Sequence, residues 1–391
     1  MAAAAVDSLF GTRERDRLLF GVATFFYWAS LYLYVPILPV YAQSVVDSLA
    51  MVGVVISSCA LPQLLLRIPI GLYYDSVTRR KPLVVVSMAM CLGGAVGLAY
   101  AGGGGTMFLA RAMTGVGAAG WVAFTTFFTG YYPAHRSARA IGTINAVNQV
   151  ALVVATGSGG VLADVGGYRV VFLVAAGLAV LGLLAMTLAR EPVAVARVHP
   201  AGGFRGVATS PLLVASAIMA ILLQFATFSS IFGFIPSYGA SIGASNSQLG
   251  VITMVTLAAA AAASLASVRL AERFGYSAAL GMGAALFGFS LLLVPMTTTP
   301  VMLGVVQVVG GLGRGSLSTL LMALSIRSAP PGARATAMGI YQAVYATGML
   351  AGPLVSGVIA DWLDLAAVFR LCALVTLVIA VVARHRSVRS A

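Results

Sequence analysis

Charge is what this sequence lacks most. Asp, Glu, Lys and Arg make up 8% of its 391 residues, against about 25% in a soluble domain. With so few charges and 60% apolar residues, the chain has no material for a solvated surface, and a soluble globular fold is excluded. Acids are the scarcer sign, 10 against 23 Lys and Arg, and each lies outside the long apolar runs or at the end of one. The histidines, His135, His199 and His385, also lie between such runs. No carboxylate or imidazole is therefore available at the centre of a run to carry a proton or hold a cation. Cys59, Cys91 and Cys372 are scattered without metal-ligand spacing, which removes disulfide and zinc frameworks. Nucleotide motifs, catalytic triads and metal clusters are missing too, so no metal, no cofactor and no enzymatic reaction are expected.

What is there is apolar length. Runs fall at about 18–40, 49–70, 82–101, 106–130, 139–163, 168–189, 211–236, 248–268, 277–296, 300–326, 336–360 and 366–383. Each comes close to the about 20 residues that cross a bilayer, which predicts an all-α polytopic membrane protein with twelve transmembrane helices. Between the second and third runs stands GLYYDSVTRRK, Gly71 to Lys81, with three consecutive bases. The positive-inside rule puts that loop in the cytoplasm. Once it is placed, 18 of the 23 Lys and Arg share its side; Arg169 and Arg370 lie opposite, and Arg67, Arg111 and Arg314 fall inside runs. The formal charge of +13 is thus a matter of topology, and nucleic acid is not an expected partner. Both termini are expected in the cytoplasm, in a cytoplasmic (inner) membrane. The first residues, with Asp7, Glu14 and Asp16, do not read as a cleavable signal.

The longest connection, Arg190 to Ser210, is polar and reads as a cytoplasmic linker. It divides the chain into an N-terminal six-helix bundle (1–189), the linker (190–210) and a C-terminal six-helix bundle (211–391). An offset of 197 pairs Pro39 with Pro236, Tyr41 with Tyr238, Ser44 with Ser241, Gly53 with Gly250, Asp75 with Glu272, Gly160 with Gly357, Asp164 with Asp361 and Phe172 with Phe369. Such a register indicates duplication. Two parallel six-span repeats related by a pseudo-two-fold axis suit a carrier that exposes one site to alternate sides.

These residues carry a resemblance. GLYYDSVTRRK is similar to the signature between the second and third helices of the major facilitator superfamily: a Gly, an Asp four residues on, then a basic cluster. VRLAERFG, from Val268, resembles its weaker copy in the second half. VPILPVYAQ, from Val35, resembles the Pro-x-x-Pro pattern of the twelve-span drug:proton antiporter branch, and RAMTGVGAAG, from Arg111, the buried Arg before a Gly-rich helix face. There are departures. Ser76 and Thr78 replace a base and a Gly, and ATGSGG from Ala155 lacks the Pro of the antiporter motif, of which GPLVSG from Gly352 is a closer copy. The resemblance implies the major facilitator fold, secondary transport by alternating access, and a cavity lined by the first, fourth, seventh and tenth spans. It also implies a gate of Gly71, Asp75, Arg79, Arg80, Glu272 and Arg273, in which Asp75 faces the start of the eleventh span with Arg79 and Arg139 as partners.

Arg111 and Arg314 are the sharpest individual signals, because a guanidinium at hydrocarbon depth is costly and marks a polar interior. Arg67, near a span end, is expected to snorkel and to be structural. The remaining candidate substrate-binding residues are Tyr27, Tyr32, Trp121, Asn148, Gln149, Gln224, Phe228, Gln307, Tyr341, Gln342 and Tyr345. The leading expectation is efflux of a small, drug-like amphipathic molecule. An organic-anion carrier using Arg111 and Arg314 stays open beside it, as does a lipid translocator or a membrane sensor that moves nothing. Partners are then a small-molecule substrate and the lipid bilayer, with protons or a counter-anion as candidate coupling species. One chain holds a whole pathway, so a monomer is expected.

Overall fold

The computed structural model describes residues 2–76, 79–133, 136–192, 204–330, 333–384 and 388. Among them there is no strand, and the chain is an all-α membrane protein. The first crossing consists of α1 (Ala2–Tyr32) and α2 (Leu38–Gln43), the second of α3 (Leu49–Ser57) and α4 (Ala60–Ser76), the third of α5 (Lys81–Ala99), and the fourth of α6 (Gly104–Ala119) and α7 (Trp121–Thr129). The long α8 (Ser137–Leu188) follows, then the short α9 (Phe204–Ala208). The seventh crossing is α10 (Pro211–Ser229), a π-helical turn (Ser230–Phe234) and α11 (Ile235–Ser241). The rest are α12 (Asn246–Phe274), α13 (Tyr276–Leu293), α14 (Pro300–Arg327), α15 (Arg334–Trp362) and α16 (Leu365–Val382).

Ten runs among the described residues are long and apolar enough to cross a bilayer. One of them, Arg139–Leu188, has 50 residues. That is about 75 Å of helix, where one crossing needs about 30 Å, so it holds two. The break falls at Gly167, whose φ of 76° is a left-handed value that only glycine adopts cheaply. Together with the first crossing, α1 and α2, this gives the twelve helices that the run lengths predict.

Helix starts follow local chemistry. Ser48 and Ser245 stand extended before α3 and α12, and their hydroxyls accept the N–H groups of Met51 at 3.1 Å and Gln248 at 3.2 Å. Asp364 does the same for Ala367 at 2.6 Å. Such caps satisfy one of the backbone donors that a helix start leaves free.

The 197-residue register recurs in the contacts. The Tyr41 hydroxyl donates to the Ala101 carbonyl and its ring lies 5.1 Å from Phe172. Tyr238 donates to the Thr297 carbonyl and lies 5.7 Å from Phe369. The break in the first crossing, residues 33–37, and the π-helical turn Ser230–Phe234 also match at this shift.

Each half of the chain packs internally, α1 along α8 and α10 along α15, and the halves meet where α8 touches α12 and α3 touches α15. A nest of rings fills the first half, with Phe20 stacked on Phe127 at 4.9 Å and Tyr27 on Phe124 at 4.4 Å. Lipid is as apolar as these rings, so dispersion and ring geometry hold them, at about 1 kcal/mol per pair, rather than escape from water.

Candidate functional site

At the end of the bundle away from the chain termini, two seams join the halves. Asp361, at the end of α15, accepts the Leu49 N–H at 2.7 Å and the Ala50 N–H at 2.9 Å. Asp164, in α8, accepts the Asn246 N–H at 3.1 Å and the Ser247 N–H at 2.8 Å. The Asn246 side-chain amide, at 2.9 Å, and the Ser247 hydroxyl add to it. These donors open α3 and α12, so each carboxylate sits on the positive end of a helix from the other half. Glycine lets the backbones come this close. A Cβ on Gly357 would lie 2.6 Å from the Leu49 carbonyl oxygen, and one on Gly160 would collide with that of Asn246.

Further into the bundle the halves enclose a cavity of about 150 Å³. Its wall includes irregular stretches of helix, at Val35, Cys59 and Phe232, among regular ones. Trp28, Leu31, Tyr32, Val35 and Leu38 come from the broken first crossing, Cys59 from the join of α3 and α4, and Phe228 and Phe232 from the π-helical seventh. Gln63 and Arg67 on α4, Arg111 on α6, Gln224 on α10, Arg314 on α14, and Tyr345 and Met349 on α15 complete the polar and aromatic lining. Among the described residues no lining residue is an acid. Backbone that departs from regular helix is tolerated at this depth where it borders a cavity.

The three arginines are held by neutral groups. Arg67 donates to the Gln63 side-chain oxygen at 2.7 Å and, across the halves, to the Gln342 carbonyl at 3.1 Å. Arg111 donates to the Thr114 hydroxyl at 3.3 Å. Aromatic rings face all three: Tyr345 lies 5.2 Å from Arg67, Tyr34 5.6 Å from Arg111 and Phe232 5.6 Å from Arg314. A cation–π contact returns about 1 kcal/mol, whereas bringing a guanidinium to this depth costs about 3 kcal/mol or more. The deficit shows as unused donors: the Nε–H groups of Arg67, Arg111 and Arg314 and the Trp28 indole N–H are buried without an acceptor.

Of the residues singled out from sequence, Arg111, Arg314, Tyr32, Gln224, Phe228 and Tyr345 reach the cavity wall. Others stand behind it. The Tyr27 hydroxyl is spent on the Gly117 carbonyl at 2.7 Å. Trp121 packs on Trp28 at 5.1 Å and Tyr341 on Tyr345 at 5.4 Å. Gln342 takes part through its backbone oxygen, Gln307 is buried in α14, and Asn148 and Gln149 lie on α8, half-buried and exposed. The expectation that Arg67 snorkels is corrected. At 8% exposure it is turned inward, because Gln63 and the Gln342 carbonyl hold it there. Spacing carries the missed signal: Cys59, Gln63 and Arg67 recur every four residues, which places them on one helix face.

Among the expected gating residues, Gly71 and Asp75 fall on the last turns of α4, and their side chains lie outside the described residues. Arg79, Glu272 and Arg273 are exposed. The Arg80 N–H donates to the Glu191 carboxylate, and the Lys81 ammonium holds the Thr187 and Ala189 carbonyls at 2.9 and 2.7 Å. These bases thus tie down the C-terminal end of α8.

A multi-crossing helical protein whose matching halves enclose a polar cavity, sealed at one end, is a membrane transporter by class. The chain belongs to the major facilitator superfamily: the sequence model of the Major Facilitator Superfamily matches residues 20–242 and 217–390. An uncharacterized transporter of this type from Methanocaldococcus jannaschii is 21% identical over 401 aligned residues, covering 96% of this chain and 99% of that one. Among solved structures, a bacterial homologue of the human lysosomal transporter Spinster, inward-facing and occupied, aligns with a TM-score of 0.79 and 16% identity, covering 94% of this chain and 95% of that one. The human organic anion transporter MFSD10 (TETRAN) aligns with a TM-score of 0.70 and 16% identity, over 95% and 99% of the two chains.

Proposed function

We propose that this protein is a secondary transporter that moves a small amphipathic anion across the cytoplasmic membrane by alternating access. One observation carries the reading: three arginines, Arg67, Arg111 and Arg314, line the cavity wall, and no described lining residue is an acid. A guest carrying negative charge and hydrogen-bond acceptors complements these guanidiniums, while a cation is repelled by them. The aromatic wall suits an apolar body. A volume of about 150 Å³ is that of a cavity which holds a benzene-sized guest, so a monocyclic aromatic acid is the natural match. The resemblance to a structure titled as an organic anion transporter agrees with this reading. Drug-like efflux calls for neutral or cationic guests, and lipid translocation for a larger one; no observation favours either, or a sensor that moves nothing.

In this scheme residues 1–189 and 211–391 rock as two bundles about the linker, with the termini in the cytoplasm. The Asp164 and Asp361 seams then close the outer mouth. Calorimetric titration of the purified protein tests the substrate class. Benzenesulfonate should bind at least about 10-fold more tightly than its neutral isostere benzenesulfonamide, as expected for a hydrogen bond to a charged group. Binding of benzylammonium equal to or tighter than that of benzenesulfonate sinks the anion reading.

A further inference from the structure

The unneutralised cavity also bears on how the carrier returns. We propose that the protein works as an anion exchanger, in which an anion carried one way must be replaced by another before the cavity reorients; this rests on the anion reading above.

Arg111 comes from the first half and Arg314 from the second, so the two halves each bring a cation to one cavity. Any path between inward-open and outward-open states passes through a stage in which both mouths are shut. With a guest in place its acid group serves both guanidiniums. Without one, both stay desolvated and unpaired, beside each other's charge. Nothing in the wall relieves this, since the titratable residues facing the arginines are Tyr32, Tyr34, Tyr345 and Cys59, phenols and a thiol rather than carboxylates.

The acids lie elsewhere. Asp164 and Asp361 cap helices at the sealed end, and Asp16 and Glu191 accept the Arg190 and Arg80 N–H groups. Among the described residues no carboxylate lines the cavity, so none stands beside the arginines as a substitute anion or a proton carrier. A cost of this kind, of the size seen for a single unpaired charge at mid-membrane, slows the empty carrier about 100-fold.

The test uses proteoliposomes loaded with radiolabelled benzenesulfonate, which stays ionised and does not leak as a neutral acid. They are diluted into medium containing either unlabelled benzenesulfonate or gluconate as the sole anion, with equal potassium on both sides and valinomycin to hold the membrane potential at zero. Efflux into benzenesulfonate should be about 100-fold faster than efflux into gluconate, and collapsing a pH gradient with a protonophore should leave that ratio unchanged. Arg314→Gln, which removes one of the three arginine charges on the cavity wall, should lower the ratio by making the empty return easier. Equal efflux in the two media, or net efflux accelerated by a proton gradient, overturns the exchange mechanism while the anion reading stands. If benzenesulfonate shows neither binding nor protein-dependent flux in any arm, the anion reading falls and takes the exchange mechanism with it.

Discussion

Asp164 and Asp361 make the same contact from opposite halves of the chain, each accepting the first two N–H groups of a helix that belongs to the other half. The donors match as well, since Asn246 and Ser247 follow Leu49 and Ala50 by the 197 residues that separate the two acids. A contact present twice under one register is a designed feature of the interface between the halves.

Replacing both acids by Asn removes the charge on each helix start and one acceptor, leaving one oxygen in place. At these exposed positions the loss is about 1 kcal/mol, enough to shift the balance of states about 5-fold towards an open outer mouth. Cys59 on the cavity wall is the reporter. Its modification by the anionic reagent sulfonatoethyl methanethiosulfonate, added outside right-side-out vesicles and read by mass spectrometry, should be about 5-fold faster in the double variant. An unchanged rate means that the carboxylates do not hold the seam.

Arg314 makes no hydrogen bond among the described residues, and its cation–π partner is the Phe232 ring. Arg314→Gln is therefore expected to fold normally. It should weaken benzenesulfonate binding about 10- to 100-fold, the worth of a charge-assisted hydrogen bond, and leave benzenesulfonamide binding unaltered. Calorimetry on the two ligands checks this, and an equal loss for both would mean that the guanidinium is not reading charge.

Tyr27 separates packing from binding. Its buried hydroxyl serves the Gly117 carbonyl, and it is not on the cavity wall. Tyr27→Phe should lower stability by about 1 kcal/mol through the lost hydrogen bond, the Gly117 carbonyl keeping the Gly120 N–H, seen as a lower Tm in detergent, with unchanged benzenesulfonate affinity. A selective loss of affinity at constant Tm would reassign Tyr27 to the site.

Gly167 turns α8 back with φ at 76°. An alanine there meets no neighbour, yet must take a left-handed conformation that costs about 1–2 kcal/mol. Gly167→Ala should lower the Tm, whereas Gly177→Ala, in open space within the helix, should hold or raise it because alanine favours helix over glycine. Equal behaviour of the two variants contradicts the assigned turn.

Much of the framework is legible in the sequence because apolar run length and a repeat register report directly on crossings and on duplication. Tyr41 and Tyr238, matched by the 197 shift, make matching hydrogen bonds and ring contacts. Pro36 marks the break in the first crossing, while the equivalent break in the seventh has no proline until Pro236 and appears as a π-helical turn. Asp164 and Asp361 are visible as a pair, yet their role depends on which helix start each one meets across the molecule, information that no local pattern holds. Arg67 is misread because counting along a span gives depth but not direction, and its direction is set by Gln63 and by a carbonyl on another helix. Tyr27 is misplaced for a similar reason. Its shift partner Gln224 reaches the cavity, but the Tyr27 phenol turns to the second lone pair of the Gly117 carbonyl, near the join of α6 and α7, instead.

The twin acid caps have a consequence for ancestry. A single half carrying an acid at one helix end and a helix start with two N–H groups left over on another would dock with a second copy of itself in the same orientation through both contacts at once, as in an isologous dimer. The seam of the present monomer therefore has the form of a two-fold subunit interface that survived the fusion of its two protomers into one polypeptide.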